Sequence, residues 1–243
     1  MKRLHGLRDL RWHGWMKIGL VSDVHSNLAS FKAVLKDMPK VDEIICAGDL
    51  VGYGAEPNEV VKLARSKRMR AVMGNHDHAA IINDAHGLND RAAAAIAWTS
   101  KKLTRENKSY LSSLPTHLEL EFGGQSLYLV HGSPRNPLEE YVFPDSSNRD
   151  LVGVVKGVEP DLIVLGHTHV PMKRMILGKN IVNPGSVGQP RDRDKRASYA
   201  VVNFDKEVSV AFWRVDYDID AAAEKIKAAG LPEELATRLF FGW

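Results

Sequence analysis

Five times along the chain a short apolar run gives way to a small residue and then to a side chain able to bind a metal. Residues 18–21 lead to Asp23 and His25, 44–47 to Asp49, 71–73 to Asn75 and His76, 127–130 to His131, and 162–165 to His167 and His169. Short apolar runs bounded by glycine are the pattern of strands buried on both faces. The first strand is predicted to begin at Lys17. Between the early strands, 28–38 is apolar at positions 28, 31, 34, 35 and 38, and 57–64 also reads as a helix. Strand, helix and strand in that order favour crossover units and a mostly parallel sheet. Ligands of such sheets collect outside the carboxyl ends of the strands, so residues far apart in sequence can meet in one site.

The stretch 88–114 is alanine-rich and reads as helical up to Leu114-Pro115, where it could cap or flank a pocket. Beyond it, 173–177, 180–183, 198–204 and 208–215 alternate or are β-rich, which predicts antiparallel strands. Two helices, 219–229 and 232–239, are expected to close the chain, split by Gly230 as a C-terminal cap. Residues 1–15 have no regular period and read as a loose extension or as lying upstream of a true start at Met16, leaving 16–243 as one domain.

Charge adds little. The formal net charge is +3, and residues 1–15 alone carry Lys2, Arg3, Arg8 and Arg11 against Asp9, so the body is nominally neutral. With no basic stripe elsewhere, a stable nucleic-acid complex is not expected. Cys46, the single cysteine, lies in an apolar run and reads as a buried hydrophobe. No apolar run approaches the roughly 20 residues that cross a bilayer, and no secretory leader is visible. The expected location is the cytoplasm, with no membrane partner; oligomeric state is not readable.

The donor set of the five blocks is imidazole nitrogen with carboxylate and amide oxygen, and no thiolate. That set suits Mn, Fe, Zn, Ni or Co and argues against a structural zinc of the cysteine type. A carboxylate bridges two cations naturally, and Asp49 is the candidate bridge. Asp23, His25 and His169 could complete one metal while Asn75, His131 and His167 complete the other. In such sites a metal-bound hydroxide attacks in line. His76 is then the spare histidine, a candidate general acid, and Asp77 could accept its other N–H and orient it. His5, His13, His86 and His117 read as bland, and His78 lies just beyond the set. Each block alone is weak, because Asp and Gly are common at strand ends. Their joint order carries the reading.

In that order the blocks, Asp23-Val-His25, Gly48-Asp49, Gly74-Asn75-His76-Asp77, His131, and Gly166-His167-Thr168-His169, resemble the calcineurin-like metallophosphoesterases over about residues 16–215. The resemblance implies an α/β fold of two mixed β-sheets packed as a sandwich and flanked by helices (α/β/β/α). It also implies two divalent ions, manganese first among them, the ligand division above and the acid role of His76. Through residues 48–54 and 183–191 the chain is similar to the small bacterial and archaeal single-domain phosphodiesterases. Gly52 and Tyr53 stand where the protein phosphatases and diadenosine tetraphosphatases carry an Asp-Arg pair whose arginine grips phosphate. A dianionic monoester gains most from that guanidinium, so the expected substrate is a small phosphodiester. A phosphomonoesterase or nucleotide pyrophosphatase is the alternative, and a non-catalytic scaffold of this fold, as in the retromer subunit, is a further one. Tyr53 and Arg191 are the candidate substrate contacts, with Arg193 beside them, although the mixed charge run 191–196 reads first as a solvated turn.

Overall fold

The computed structural model describes residues 15–243; the expectation for residues 1–15 therefore lies, Trp15 apart, outside the described residues. The first sheet grows from β1 (Met16–Val21), whose alternation sends Ile18 and Leu20 to one face and Gly19 and Val21 to the other. On one side β1 pairs in parallel with β2 (Glu43–Cys46), which pairs in parallel with the two-residue β3 (Arg70–Ala71). On the other it pairs antiparallel with β9 (Ala197–Phe204), itself antiparallel to the edge strand β10 (Val208–Val215).

The second sheet has the order β4 (His117–Phe122), β5 (Gln125–Val130), β6 (Leu162–Val164), β8 (Lys179–Asn183), β7 (Met172–Ile176). Here one expectation is corrected. Residues 180–183 do pair antiparallel with β7, but their other neighbour, β6, is parallel.

The two sheets meet face to face. Ile18, Leu20, Ile45, Ala200 and Val202 of the first interlock with Leu127, Leu129, Leu162, Val164 and Val182 of the second. Close packing of this kind is the main favourable term holding the layers together. The outer face of the first sheet is covered by α1 (Leu28–Asp37) and α2 (Pro57–Ser66), through Phe31, Val34, Val60 and Val61. The outer face of the second is covered by α6 (Asn148–Val155), through Leu151, Val154 and Val155. The expected sandwich of two mixed sheets flanked by helices is the observed fold. Cys46 is buried as expected, and burial pushes its thiol well above its ordinary value.

Residues 88–114 form two helices rather than one. α4 (Asp90–Lys102) ends before Thr104, whose hydroxyl accepts the Asn107 N–H and caps α5 (Arg105–Ser112). Ala92 and Ala95 of α4 share a buried apolar cluster with α7 (Ile219–Ala228), α8 (Glu233–Thr237) and Tyr53. Gly230 follows α7 at φ +69°, the left-handed conformation expected of a terminating glycine. A 3-10 turn, Arg238–Phe240, comes after α8. Among the described residues no helix is long and apolar enough to cross a membrane.

Candidate metal centre

All five blocks sit where their strands end. The loop after β1 carries Asp23 and His25, that after β2 carries Asp49, and those after β5 and β6 carry His131, His167 and His169. The loops are stitched together by main-chain bonds, among them Asp23 N–H to the Gly48 carbonyl, His25 N–H to Asp49 and Gly166 N–H to His131. Asp23, His25, Asp49, His167 and His169 have φ values of 53°, 48°, 54°, 68° and 62°. A non-glycine residue in this region is disfavoured by roughly 1–3 kcal/mol. Five such residues around one point are a strained constellation held by the surrounding fold.

The block 74–77 does something the sequence pattern did not indicate: it starts a helix, α3 (Asn75–Ile82). Asp77 reaches back, accepting the Gly74 N–H at 3.1 Å and the Val51 N–H at 3.0 Å. Asp49 Oδ1 accepts the His76 N–H at 2.9 Å, so a carboxylate rests on the positive end of the helix. Gly74 permits that approach, since a Cβ there would lie 2.0 Å from Asp49 Oδ1. The expected role of Asp77 is thereby corrected. Neighbouring helical side chains point in different directions, and both Asp77 oxygens are engaged by main-chain donors instead of His76.

Two groups of donors converge, Asp23 with His25 and His169, and Asp49 with His131 and His167; within each, the donor atoms lie within 4.8 Å of one another. Asn75 joins the second, its Oδ1 lying 3.1 Å from His131 Nε2. His25 Nδ1 donates to the Val51 carbonyl at 3.1 Å and His169 Nδ1 to that of Gln189 at 2.5 Å. In the neutral rings this turns both Nε2 lone pairs inward, where they face each other at 3.0 Å. Two lone pairs at that distance repel unless a cation lies between them. Asp23 Oδ1 and Asp49 Oδ2 are buried with no hydrogen-bond partner at all, although the two residues are 0% and 1% exposed. Buried carboxylate oxygens without donors, ringed by imidazole lone pairs, are what a divalent-metal site requires.

Charge follows the same logic. Burial opposes protonation of His131, but the Asp49 and Asp23 carboxylates outweigh it and push its imidazole up to about 9. Burial, with His131 beside it, pushes His167 down to about 3, and burial followed by Arg191 holds His169 well below its ordinary value. The carboxylates thus favour positive charge at His131, whether a proton or a cation held by its Nε2.

Tyr53 is buried against the cluster, its ring centre 4.6 Å from that of His25 and 4.4 Å from that of His76. Arg191 is not in a solvated turn. Its Nη2 donates to the Tyr53 hydroxyl at 3.1 Å, placing the guanidinium beside the site, while Arg193 is exposed. Two neighbours escaped the sequence pattern. Tyr141 stacks on His167 with ring centres 3.7 Å apart, and Arg238 lies 6.0 Å from the centre of the Tyr53 ring. Neither stands in a recognisable motif; only the tertiary fold brings them there.

Among known proteins, the family model described as the calcineurin-like phosphoesterase superfamily domain matches residues 16–207. An uncharacterized protein of Methanocaldococcus jannaschii is 39% identical over 244 residues, covering 93% of this chain and 98% of that one. A metallophosphoesterase of Sphaerobacter thermophilus, known from its crystal structure, is 38% identical and superposes with a TM-score of 0.82, covering 95% of this chain and 100% of the other. A hypothetical protein of Pyrococcus horikoshii, 24% identical, has the same fold, with a TM-score of 0.84 over 93% of this chain and 98% of its own.

Two outcomes are expected. Below about pH 9, a divalent cation entering the site must displace the His131 proton. Calorimetric titration of the metal-free protein with Mn²⁺ at pH 7, in buffers of different ionisation enthalpy, should report release of about one proton, and affinity should rise about tenfold per pH unit until that proton is gone. Asp77→Ala leaves two buried N–H groups without an acceptor and should lower stability by about 2–4 kcal/mol in urea unfolding.

Proposed function

This chain belongs to the calcineurin-like phosphoesterase superfamily, and within it we propose a phosphodiesterase that works with two divalent cations. One observation carries the reading. Asp49 Oδ2, the buried oxygen without a partner, lies 3.6 Å from His25 Nε2 and 3.4 Å from His131 Nε2, one nitrogen from each donor group. A carboxylate oxygen between two clusters of lone pairs suits a shared ligand. Asp23, His25 and His169 hold one cation in this reading, Asn75, His131 and His167 the other. The N,O donor set suits Mn, Fe, Ni, Zn or Co, and the family likeness rather than the donors puts manganese first. When bound, such ions supply Lewis acidity toward a phosphoryl oxygen and lower the pKa of water beside them.

The chain's own residues do the remaining work. His25, His131 and His169 are held by main-chain carbonyls in the tautomer that aims Nε2 inward. His76 Nδ1 is buried with no partner, and the ring lies 4.9 Å from His25. It is the group left to give a proton to the departing oxygen. Burial, partly offset by Asp49 and reinforced by His25 and Arg191, pushes the His76 imidazole down to about 3. It therefore takes up its proton together with the anionic substrate, whose charge favours the protonated ring. Asp77 positions His76 indirectly, by capping the helix that bears it.

Tyr53 supports a diester. It stands where the phosphate-gripping arginine would be, and its ring packs on His25 and His76 without bringing a charge to that place. Arg191 beside Tyr53 is the one observation that favours the monoesterase alternative, because it brings a guanidinium near the site. A small phosphate ester in the cytoplasm completes the reading; the described body has no basic stripe for a stable nucleic-acid complex, and a buried, unpaired Cys46 fits a reducing compartment.

With Mn²⁺ the protein should hydrolyse bis(p-nitrophenyl) phosphate faster than p-nitrophenyl phosphate; the reverse order would establish the monoesterase instead. His76→Ala should slow a phenyl ester of thymidine 5′-phosphate by roughly 10²–10⁴-fold while leaving metal content intact. The loss should be smaller for the p-nitrophenyl ester, whose leaving group needs less help. Equal losses for both esters would remove the acid role from His76.

A further inference from the structure

Two arginines from distant parts of the chain share one tyrosine at the edge of the site. Arg191 follows β8 and Arg238 lies in the C-terminal 3-10 turn, yet their guanidinium carbons stand 5.6 Å and 6.0 Å from the centre of the same Tyr53 ring. Arg191 Nη2 donates to the Tyr53 hydroxyl and to Gln189 Oε1, and its Nε is buried with no partner. Arg238 Nε donates to the main-chain oxygen of Trp243. Neither guanidinium forms an ion pair with a carboxylate side chain among the described residues.

Elsewhere close arginines are neutralised. Arg214 lies against Asp192, and Arg196 against Asp194. Around Tyr53 two half-buried guanidiniums instead share one ring, and burial followed by the charge of Arg191 pushes Arg238 down to about 10. Arg91 of α4 lines a surface pocket with Arg238, and Glu233 and Glu234 line the same pocket. Arg238 meets an oxygen of Trp243, whereas the buried Nε of Arg191 meets no acceptor, and an anion reaching both guanidiniums would satisfy it and relieve their mutual repulsion.

The position of this pair matters. Tyr53 touches His25 and His76 with the same ring that receives both guanidiniums, so the cations lie about one aromatic ring away from the reacting centre. Neither arginine hydrogen-bonds to Asp23, Asp49 or the site imidazoles among the described residues. Two planar guanidiniums suit phosphate, which offers several oxygens and up to two negative charges, better than a single carboxylate.

We propose that Arg191 and Arg238 form an anion subsite for a second phosphate group, carried on one ester arm of the phosphodiester cleaved at the metal centre. This rests on the phosphodiesterase reading above. It also gives the C-terminal turn, which lies beyond the residues matched by the family model, a part in choosing the substrate.

The test compares thymidine 3′-phosphate 5′-(p-nitrophenyl phosphate) with thymidine 5′-(p-nitrophenyl phosphate) on the Mn²⁺-loaded protein. The 3′-phosphorylated ester should show kcat/KM at least about tenfold higher, the size of one charge-assisted contact. Arg238→Ala should bring the ratio close to one, with metal content unchanged. Arg238→Gln, which keeps a donor near Trp243, serves as the second variant should alanine unsettle the turn. A ratio near one in the unmodified protein, or a ratio that survives both substitutions, overturns the subsite. Bis(p-nitrophenyl) phosphate, which has no second anion, reports separately on the diesterase reading. Should no diester be cleaved, that reading falls, and the subsite is judged by calorimetry with thymidine 3′,5′-bisphosphate against thymidine 5′-phosphate. Equal affinities would overturn it.

Discussion

Two carboxylates, Asp23 and Asp49, are held out of water with one oxygen each left bare, and much of the molecule exists to keep them there. An ionised carboxylate in an apolar interior is unfavourable by several kcal/mol unless positive charge meets it. Here five strands end around the pair and supply imidazoles whose lone pairs also need a cation. The left-handed backbone at Asp23, His25, Asp49, His167 and His169 belongs to the same constraint, since it turns these side chains back toward one point. The inter-sheet core provides what holds this strain. Ile18, Leu20, Leu127, Leu129, Leu162 and Val164 are fully or almost fully buried directly beneath the loops that carry the donors.

Much of this was legible in the chain because it is local. The alternation over β10 is read from β-branched and polar residues facing opposite sides, and the period of α1 from apolar positions that all reach one sheet. The donors after each strand are legible because a strand end fixes where the next few residues lie. What escaped depends on contacts between distant segments. α3 starts with Asn, His, Asp and His, which are indifferent helix formers, and it is set by Asp77 reaching to Val51 and by Asp49 accepting from its first turn. The break at Leu103-Thr104 depends on a hydroxyl cap inside an otherwise continuous helical pattern. The parallel side of β8 follows from β7, next to it in sequence, taking the sheet edge so that β8 lies beside β6, an order no local pattern fixes. Asp77 was assigned to His76 by adjacency in sequence, whereas on a helix adjacency separates side chains.

The substrate side shows the same division. Gly52 and Tyr53 mark an absent arginine in the sequence, and taken alone that absence reduces the expected charge of the substrate. The fold then brings Arg191 and Arg238 to Tyr53 from residues 138 and 185 positions further on. The positive charge is displaced from the loop after β2 to the rim of the site. Catalytic ligands come from strand ends that every member of such a fold must have. The proposed recognition groups come from a loop and a C-terminal turn, where change is tolerated. A single chain can in this way keep one chemistry while changing which arm of a substrate it grips.

The proposed phosphodiesterase chemistry depends on two cations sharing Asp49. Crystals of the Mn²⁺-loaded protein, measured with anomalous diffraction at the manganese edge, address that directly. The account predicts two ions per chain, roughly 3.5–4 Å apart, one among Asp23, His25 and His169, the other among Asn75, His131 and His167, with Asp49 in contact with both. A single ion, or two ions that do not share Asp49, would contradict it.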